Sequence, residues 1–189
     1  MRPNWFFAFP LDGRFVLELP ALPPSFRLYH PDDVHLTLSF LGGCGEQAAL
    51  RALAALDVAL AASPVQSLAV ALGEVVPMGP SGRYSALSAL LSQGREPAER
   101  CIASMRDIVS EAALGKRERR APKAHVTLAR PGRQATPARR AEGLIWAAAQ
   151  DLSAVTAELR RIALYTWHDD RRGKTERLFR VVAERPLPG

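Results

Sequence analysis

Apolar positions fall into short blocks whose spacing alternates between two and 3.6 residues. Trp5 to Phe9 is an unbroken apolar run closed by Pro10, the pattern of a short buried strand. Residues 13 to 31 are interrupted by Pro20, Pro23, Pro24 and Pro31, which excludes a long helix and predicts short extended pieces. Val34 to Leu41 is the first clear strand, ended by Gly42-Gly43 and Gly45. Glu46 to Ala62 carries Leu50, Leu53, Leu56 and Leu60 at helical spacing and stops at Ser63-Pro64. Val65 to Val76 and Tyr84 to Leu91 predict a hairpin around the Pro- and Gly-rich turn at 77–82.

The second half repeats the layout. A helix is predicted from Glu96 to Leu114, ended by Gly115, and a strand from Ala124 to Arg130, ended by Pro131-Gly132. Thr136-Pro137 reads as an N-cap and first-turn proline of a helix reaching about Gln150. Val155 to Trp167 and Glu176 to Glu184 predict a terminal hairpin around 169–173. Tight hairpins favour antiparallel pairing over a doubly wound parallel sheet, so the expected class is α+β.

With 189 residues, 48% of them hydrophobic, the chain can bury a substantial core. No apolar run approaches the roughly 20 residues of a membrane span, and Pro10 and Asp12 cut short any signal-like segment, so a cytoplasmic protein without a membrane partner is expected. Cys44 and Cys101 fit neither a disulfide framework nor a CxxC pair. The net charge of +6 is concentrated. Residues 116–140 hold nine basic side chains against Glu118, while the rest of the chain is slightly acidic, which favours a polyanionic partner over a solvated arginine-rich loop only in combination with other signals.

The chemistry lies in two nearly identical segments 90 residues apart, His35-Leu36-Thr37-Leu38-Ser39-Phe40 and His125-Val126-Thr127-Leu128-Ala129-Arg130. On a strand, His35 and Thr37 share one face while Leu36, Leu38 and Phe40 point to the other, and the second copy behaves alike. If the two halves face each other, two imidazoles and two hydroxyls line one cleft. Such a cleft suits phosphodiester hydrolysis, in which one imidazole takes a proton from water, the other gives one to the leaving oxygen, and hydroxyls hold the non-bridging oxygens.

These motifs resemble those of the two-histidine (2H) phosphoesterase superfamily, and within it the bacterial and archaeal RNA 2′,3′-cyclic phosphodiesterases, also called 2′-5′ RNA ligases. The opening Trp5-Phe6-Phe7-Ala8-Phe9 and the order of elements agree with this. The resemblance implies one bilobal pseudo-twofold domain over 1–189, with an antiparallel sheet plus helices in each lobe and a metal-free cleft between them that needs no cofactor. It implies opening of a 2′,3′-cyclic phosphate at an RNA end to a 2′-phosphate, with reversible 2′-5′ ligation in some members. Carried over by motif, His35 is the general acid for the departing 3′ oxygen and His125 the general base for water, labels that could be exchanged, with Thr37 and Thr127 holding the phosphate. Arg130 is a candidate phosphate contact, and Phe9, Phe40 and Tyr84 are candidate base-stacking groups. A monomer is expected. Two features depart from the family: Lys123-Ala124 stand where a proline often precedes the second histidine, and the Pro-rich 13–31 stretch replaces a long first helix.

Other signals carry less. Gly173-Lys174-Thr175 lacks the glycine that a P-loop needs at position 168, where the chain has His168. His30 and His35 with Asp32 and Asp33 do not make a three-ligand zinc array with the second motif's single histidine, and Cys44 has no evident partner as a nucleophile. Two alternatives stay open: a cyclic phosphodiesterase acting on a small nucleotide, and a non-catalytic RNA-binding module using the same cleft and the 116–140 stretch.

Overall fold

The chain is described from a computed structural model covering residues 2–80, 82–168 and 177–189. Among these residues, nine strands form one sheet in which every pairing is antiparallel. They are β1 (Trp5–Pro10), β2 (Phe26–Leu28), β3 (His35–Gly42), β4 (Leu68–Met78), β5 (Ala86–Gln93), β6 (His125–Pro131), β7 (Thr156–Leu159), β8 (Arg161–Trp167) and β9 (Phe179–Pro186). The spatial order is β7-β4-β5-β6-β3-β1-β8-β9, with β2 on the free side of β6. Two four-stranded halves, β7-β4-β5-β6 and β3-β1-β8-β9, meet at β3 and β6 through the single pair Leu36 and Val126.

The expected strand from Val155 to Trp167 is in fact two strands. Residues 156–159 pair with β4 in one half, and residues 161–167 pair with β1 in the other. Only a sheet curled on itself lets consecutive strands reach opposite halves. The C-terminal tail fastens this curl, because Leu187 N–H donates to Arg160 O at 2.7 Å and Ser67 N–H donates to Pro188 O at 2.7 Å. The predicted turn at 169–173 lies outside the described residues.

Three helices follow from local signals. α1 (Glu46–Ala62) starts after Gly45, whose φ of 86° few side chains tolerate. α2 (Arg95–Leu114) is stopped by Gly115 in the left-handed region. α3 (Pro137–Ala148) opens with Thr136 accepting a bond from Arg139 N–H at 3.3 Å. The 13–31 stretch is less extended than predicted, since Gly13–Glu18 and Pro31–Asp33 are 3-10 turns and only Phe26–Leu28 is a strand.

The main core lies between the helices and one face of the sheet. Phe7, Phe9, Leu36, Leu38, Val126 and Leu128 meet Leu56 of α1 and Ile102, Met105 and Val109 of α2 there. Each such large side chain contributes about 1.5–3 kcal/mol on burial. The opposite face carries a small separate cluster of Phe6, Ala8, Ala163 and Tyr165.

Candidate active site

Antiparallel pairing of Leu36 with Val126 sets His35 across from Thr127 and Thr37 across from His125, on the face away from the main core. Both imidazoles and both hydroxyls therefore lie on one face, directly beside the one pair that joins the two halves. Both strands then bulge at the leucine after the threonine. Phe7 pairs with Ser39 and Ala8 with Thr37, which leaves Leu38 unpaired, and Leu87 pairs with Ala129 and Ser88 with Thr127, which leaves Leu128 unpaired. A bulge inverts the alternation beyond it. Phe40, which strict alternation assigns to the core, therefore stands beside Phe6 on the site face and is 61% exposed. By the same geometry Arg130 shares the face of His125 and Thr127.

The two histidines are anchored alike. His35 Nδ1–H donates to Asp33 O and His125 Nδ1–H donates to Lys123 O, each at 2.6 Å. This bond leaves Nε2 as the free lone pair in the neutral ring. Their surroundings differ. His35 is 8% exposed and packed among Phe6, Tyr165, Phe179 and Tyr29, with ring centroids at 4.9, 5.7, 5.7 and 6.3 Å. Burial pushes its pKa from the ordinary 6.5 down to about 4, with the Arg130 charge acting in the same direction. Burial also lowers His125, which is more open to solvent, without so large a displacement.

Three further residues shape the site. Asp33 is fully buried, and its carboxylate accepts from Leu178 N–H at 2.6 Å and Phe179 N–H at 3.1 Å, so it fastens β9 against His35. Burial raises the Asp33 pKa, and the two amide bonds oppose the rise. Ser88 Oγ lies 3.2 Å from Thr127 Oγ1 and orients that hydroxyl from the neighbouring strand. Glu99 on α2 accepts from Ala124 N–H at 3.0 Å, fixing the chain just before His125. Sequence reasoning missed Ser88 and Glu99, because neither sits in a motif, and weighed Asp33 only as a metal ligand. Pairing of the two motif strands' neighbours was the only signal that could have pointed to Ser88.

Beyond the Leu36–Val126 pair the two strands part, and the two resulting gaps differ. On the side of Thr127 and His35, β2 and Tyr29 fill the gap: Tyr29 N–H donates to Leu128 O at 2.8 Å, and the Arg130 guanidinium lies 5.6 Å from the Tyr29 ring centre. On the side of Thr37 and His125 the gap stays open as a cavity of about 1330 Å³. Its walls are Thr37 to Phe40, Met78, the α2 face from Ile102 to Leu114, and the loop 116–123.

The basic stretch of 116–140 is divided by the fold. Arg117 pairs with Glu111, Arg120 with Glu118 and Arg139 with Glu142, and Arg140 lies over the Tyr84 ring. Two stacking candidates are corrected by burial. Phe9 is 0% exposed on the core face opposite the histidines, and Tyr84 is 2% exposed with its hydroxyl donating to Arg140 O at 2.6 Å. Both are packing residues of the main core, Phe9 presented to it by β1 and Tyr84 from the turn that precedes β5. Of the weighed alternatives, His30 caps the 31–33 turn by accepting from Asp32 N–H at 3.2 Å, and burial raises the thiol pKa of Cys44 and, to about 11, of Cys101. Among the described residues no group of three or more His, Cys, Asp and Glu side chains could hold a metal ion, and no helix is long and apolar enough to cross a membrane. Gly173-Lys174-Thr175 lies outside the described residues.

The fold, taken as a whole, is shared by known structures. The chain has an α+β fold, a curled antiparallel sheet with helices, that matches LigT-like structures. In particular, it is similar to Escherichia coli LigT complexed with 3′-AMP, at a TM-score of 0.69 and 17% identity over 99% of each chain. It is also similar to TT0787 of Thermus thermophilus, at a TM-score of 0.64 and 19% identity over 98% of each chain. Usb1 of Kluyveromyces marxianus matches at a TM-score of 0.54 and 16% identity, over 98% of this chain and 97% of the other. LigT has also been crystallised with ATP and with NADP+. No family model matches the sequence, and no curated protein matches it.

Proposed function

We propose that the chain acts as one bilobal unit that opens 2′,3′-cyclic phosphates at RNA ends, leaving a 2′-phosphate, without a metal ion. The observation that carries this reading is the single face on which His35, Thr37, His125 and Thr127 meet across the β3–β6 pair. The LigT structures holding 3′-AMP and ATP support a nucleotide in this fold. In this reading the two threonine hydroxyls and Arg130 receive the non-bridging oxygens, where charge grows as the P–O bond breaks. Phe40 offers an exposed ring for a base.

The environment favours exchanging the acid and base labels carried over from the motifs. His35, held near 4 and enclosed, is neutral at pH 7 and takes the proton of the attacking water. His125 sits at the open gap, where the ribose and the rest of the substrate have room, and gives its proton to the departing 3′ oxygen. A cyclic phosphodiesterase acting on small nucleotides uses the same residues, and the cavity beside His125 favours a larger substrate.

The test is incubation of the protein, with EDTA present, with an oligonucleotide ending in a 2′,3′-cyclic phosphate, followed by identification of the phosphate isomer. A 2′-phosphate product and a loss of about 10²–10⁴-fold in His35→Ala and in His125→Ala are expected. Full activity of either variant refutes the reading. Salt-sensitive RNA binding without turnover, indifferent to both histidines, establishes the RNA-binding alternative instead.

A further inference from the structure

The open gap is far larger than the reacting group requires. At about 1330 Å³ it exceeds the roughly 300–1,000 Å³ typical of small-molecule pockets. Thr37 and His125 line it, and its walls carry six cations against the carboxylates of Asp107 and Glu118. Two of those cations are already paired, Arg117 with Glu111 and Arg120 with Glu118. Arg106 differs from these: it makes no ion pair or hydrogen bond with any described residue, and its Nε is buried without a partner. Lys116, Arg119 and Lys123 also line the gap without an ion pair among the described residues. A half-buried guanidinium with no acceptor keeps its desolvation cost until an anion arrives.

We propose that this gap is a second anion site, which takes a phosphate one nucleotide removed from the reacting one, with Arg106 on α2 as its main contact and Lys123 and Arg119 beside it. The inference rests on the cyclic-phosphate reading for its link to catalysis. It makes the preferred substrate a nucleotide that carries a phosphate on the 5′ side of the terminal ribose. Two sources supply that chemistry: an internucleotide diester or a terminal 5′-phosphate.

The experiment compares kcat/KM for cytidine 2′,3′-cyclic phosphate, its 5′-phosphorylated form, and the dinucleotide ApC ending in the same cyclic phosphate, in the wild-type protein and in Arg106→Ala. The expected ratio of dinucleotide to unphosphorylated mononucleotide is about tenfold in the wild type and close to one in the variant, with Arg106→Lys in between. Replacing the internucleotide phosphate by a neutral methylphosphonate removes the gain. An equal gain for the 5′-phosphorylated mononucleotide assigns the site to a terminal phosphate; a gain confined to the dinucleotide assigns it to the diester. Equilibrium binding of plain ApC, which has no cyclic phosphate, is measured in parallel. If no cyclic phosphate is opened yet Arg106→Ala weakens ApC binding about tenfold, the anion site stands and the catalytic reading falls. If turnover occurs but neither the ratio nor ApC binding responds to Arg106→Ala, the anion site falls alone.

Discussion

Acid weakens this fold through one imidazole. In the folded chain, burial among four aromatic rings holds His35 at about 4, whereas in the unfolded chain it regains its ordinary 6.5. Between those values the unfolded chain binds a proton that the folded chain refuses, so this contribution is fully present above about pH 6.5 and is lost as the pH falls through about 4. At about 1.4 kcal/mol per unit of displacement, the loss is about 3 kcal/mol. Other groups also respond to acid, including Asp57 held low by Arg185, so the measurement is a difference. Urea unfolding is followed at pH 7, 5.5 and 4 for the wild type and for His35→Gln, which cannot titrate in this range. The stability gap between the two narrows by about 3 kcal/mol from pH 7 to pH 4. A gap that stays constant with pH means that His35 protonates as easily in the folded chain as in the unfolded one, and the argument from its enclosure is wrong.

Three other outcomes are expected. Asp33→Ala strands the amides of Leu178 and Phe179, at about 1–3 kcal/mol each, and lets water reach His35; calorimetry reads the first effect, and an upward move of the His35 proton-NMR titration reads the second. Ser88→Ala removes the 3.2 Å partner of the Thr127 hydroxyl and lowers kcat by about three- to tenfold with little change in the melting temperature, as steady-state kinetics on a cyclic-phosphate substrate will show. Gly143→Ala drives a methyl group into the Phe26 ring and the Tyr84 hydroxyl and costs about 1–3 kcal/mol, read from urea unfolding.

The fold class, the helices and the pairing of the hairpin at 68–93 were legible because local signals decide them: the spacing of leucines in 46–62, Gly115 after α2, and Thr136-Pro137 before α3. The break at Arg160 was not, because nothing local separates 156–159 from 161–167; what divides them is which half of the sheet each joins. The face shared by His35 and Thr37 followed from strand alternation, whereas the exposure of Phe40 required the bulge at Leu38, which depends on how β1 registers against β3. Phe9 illustrates the opposite limit. An aromatic on a strand is equally compatible with either face until the helices are in place. Asp33 was visible only as an acid near a histidine, and its role rests on amides 145 and 146 residues further along the chain.

The wall behind His35 is completed by Phe179, from the last strand of the chain, and is held there by Asp33. A nascent polypeptide that has emerged as far as residue 150 already displays both imidazoles but lacks Tyr165 and Phe179, two of the four rings around the first. The enclosure is therefore completed late, when β9 closes over a ring translated 144 positions earlier.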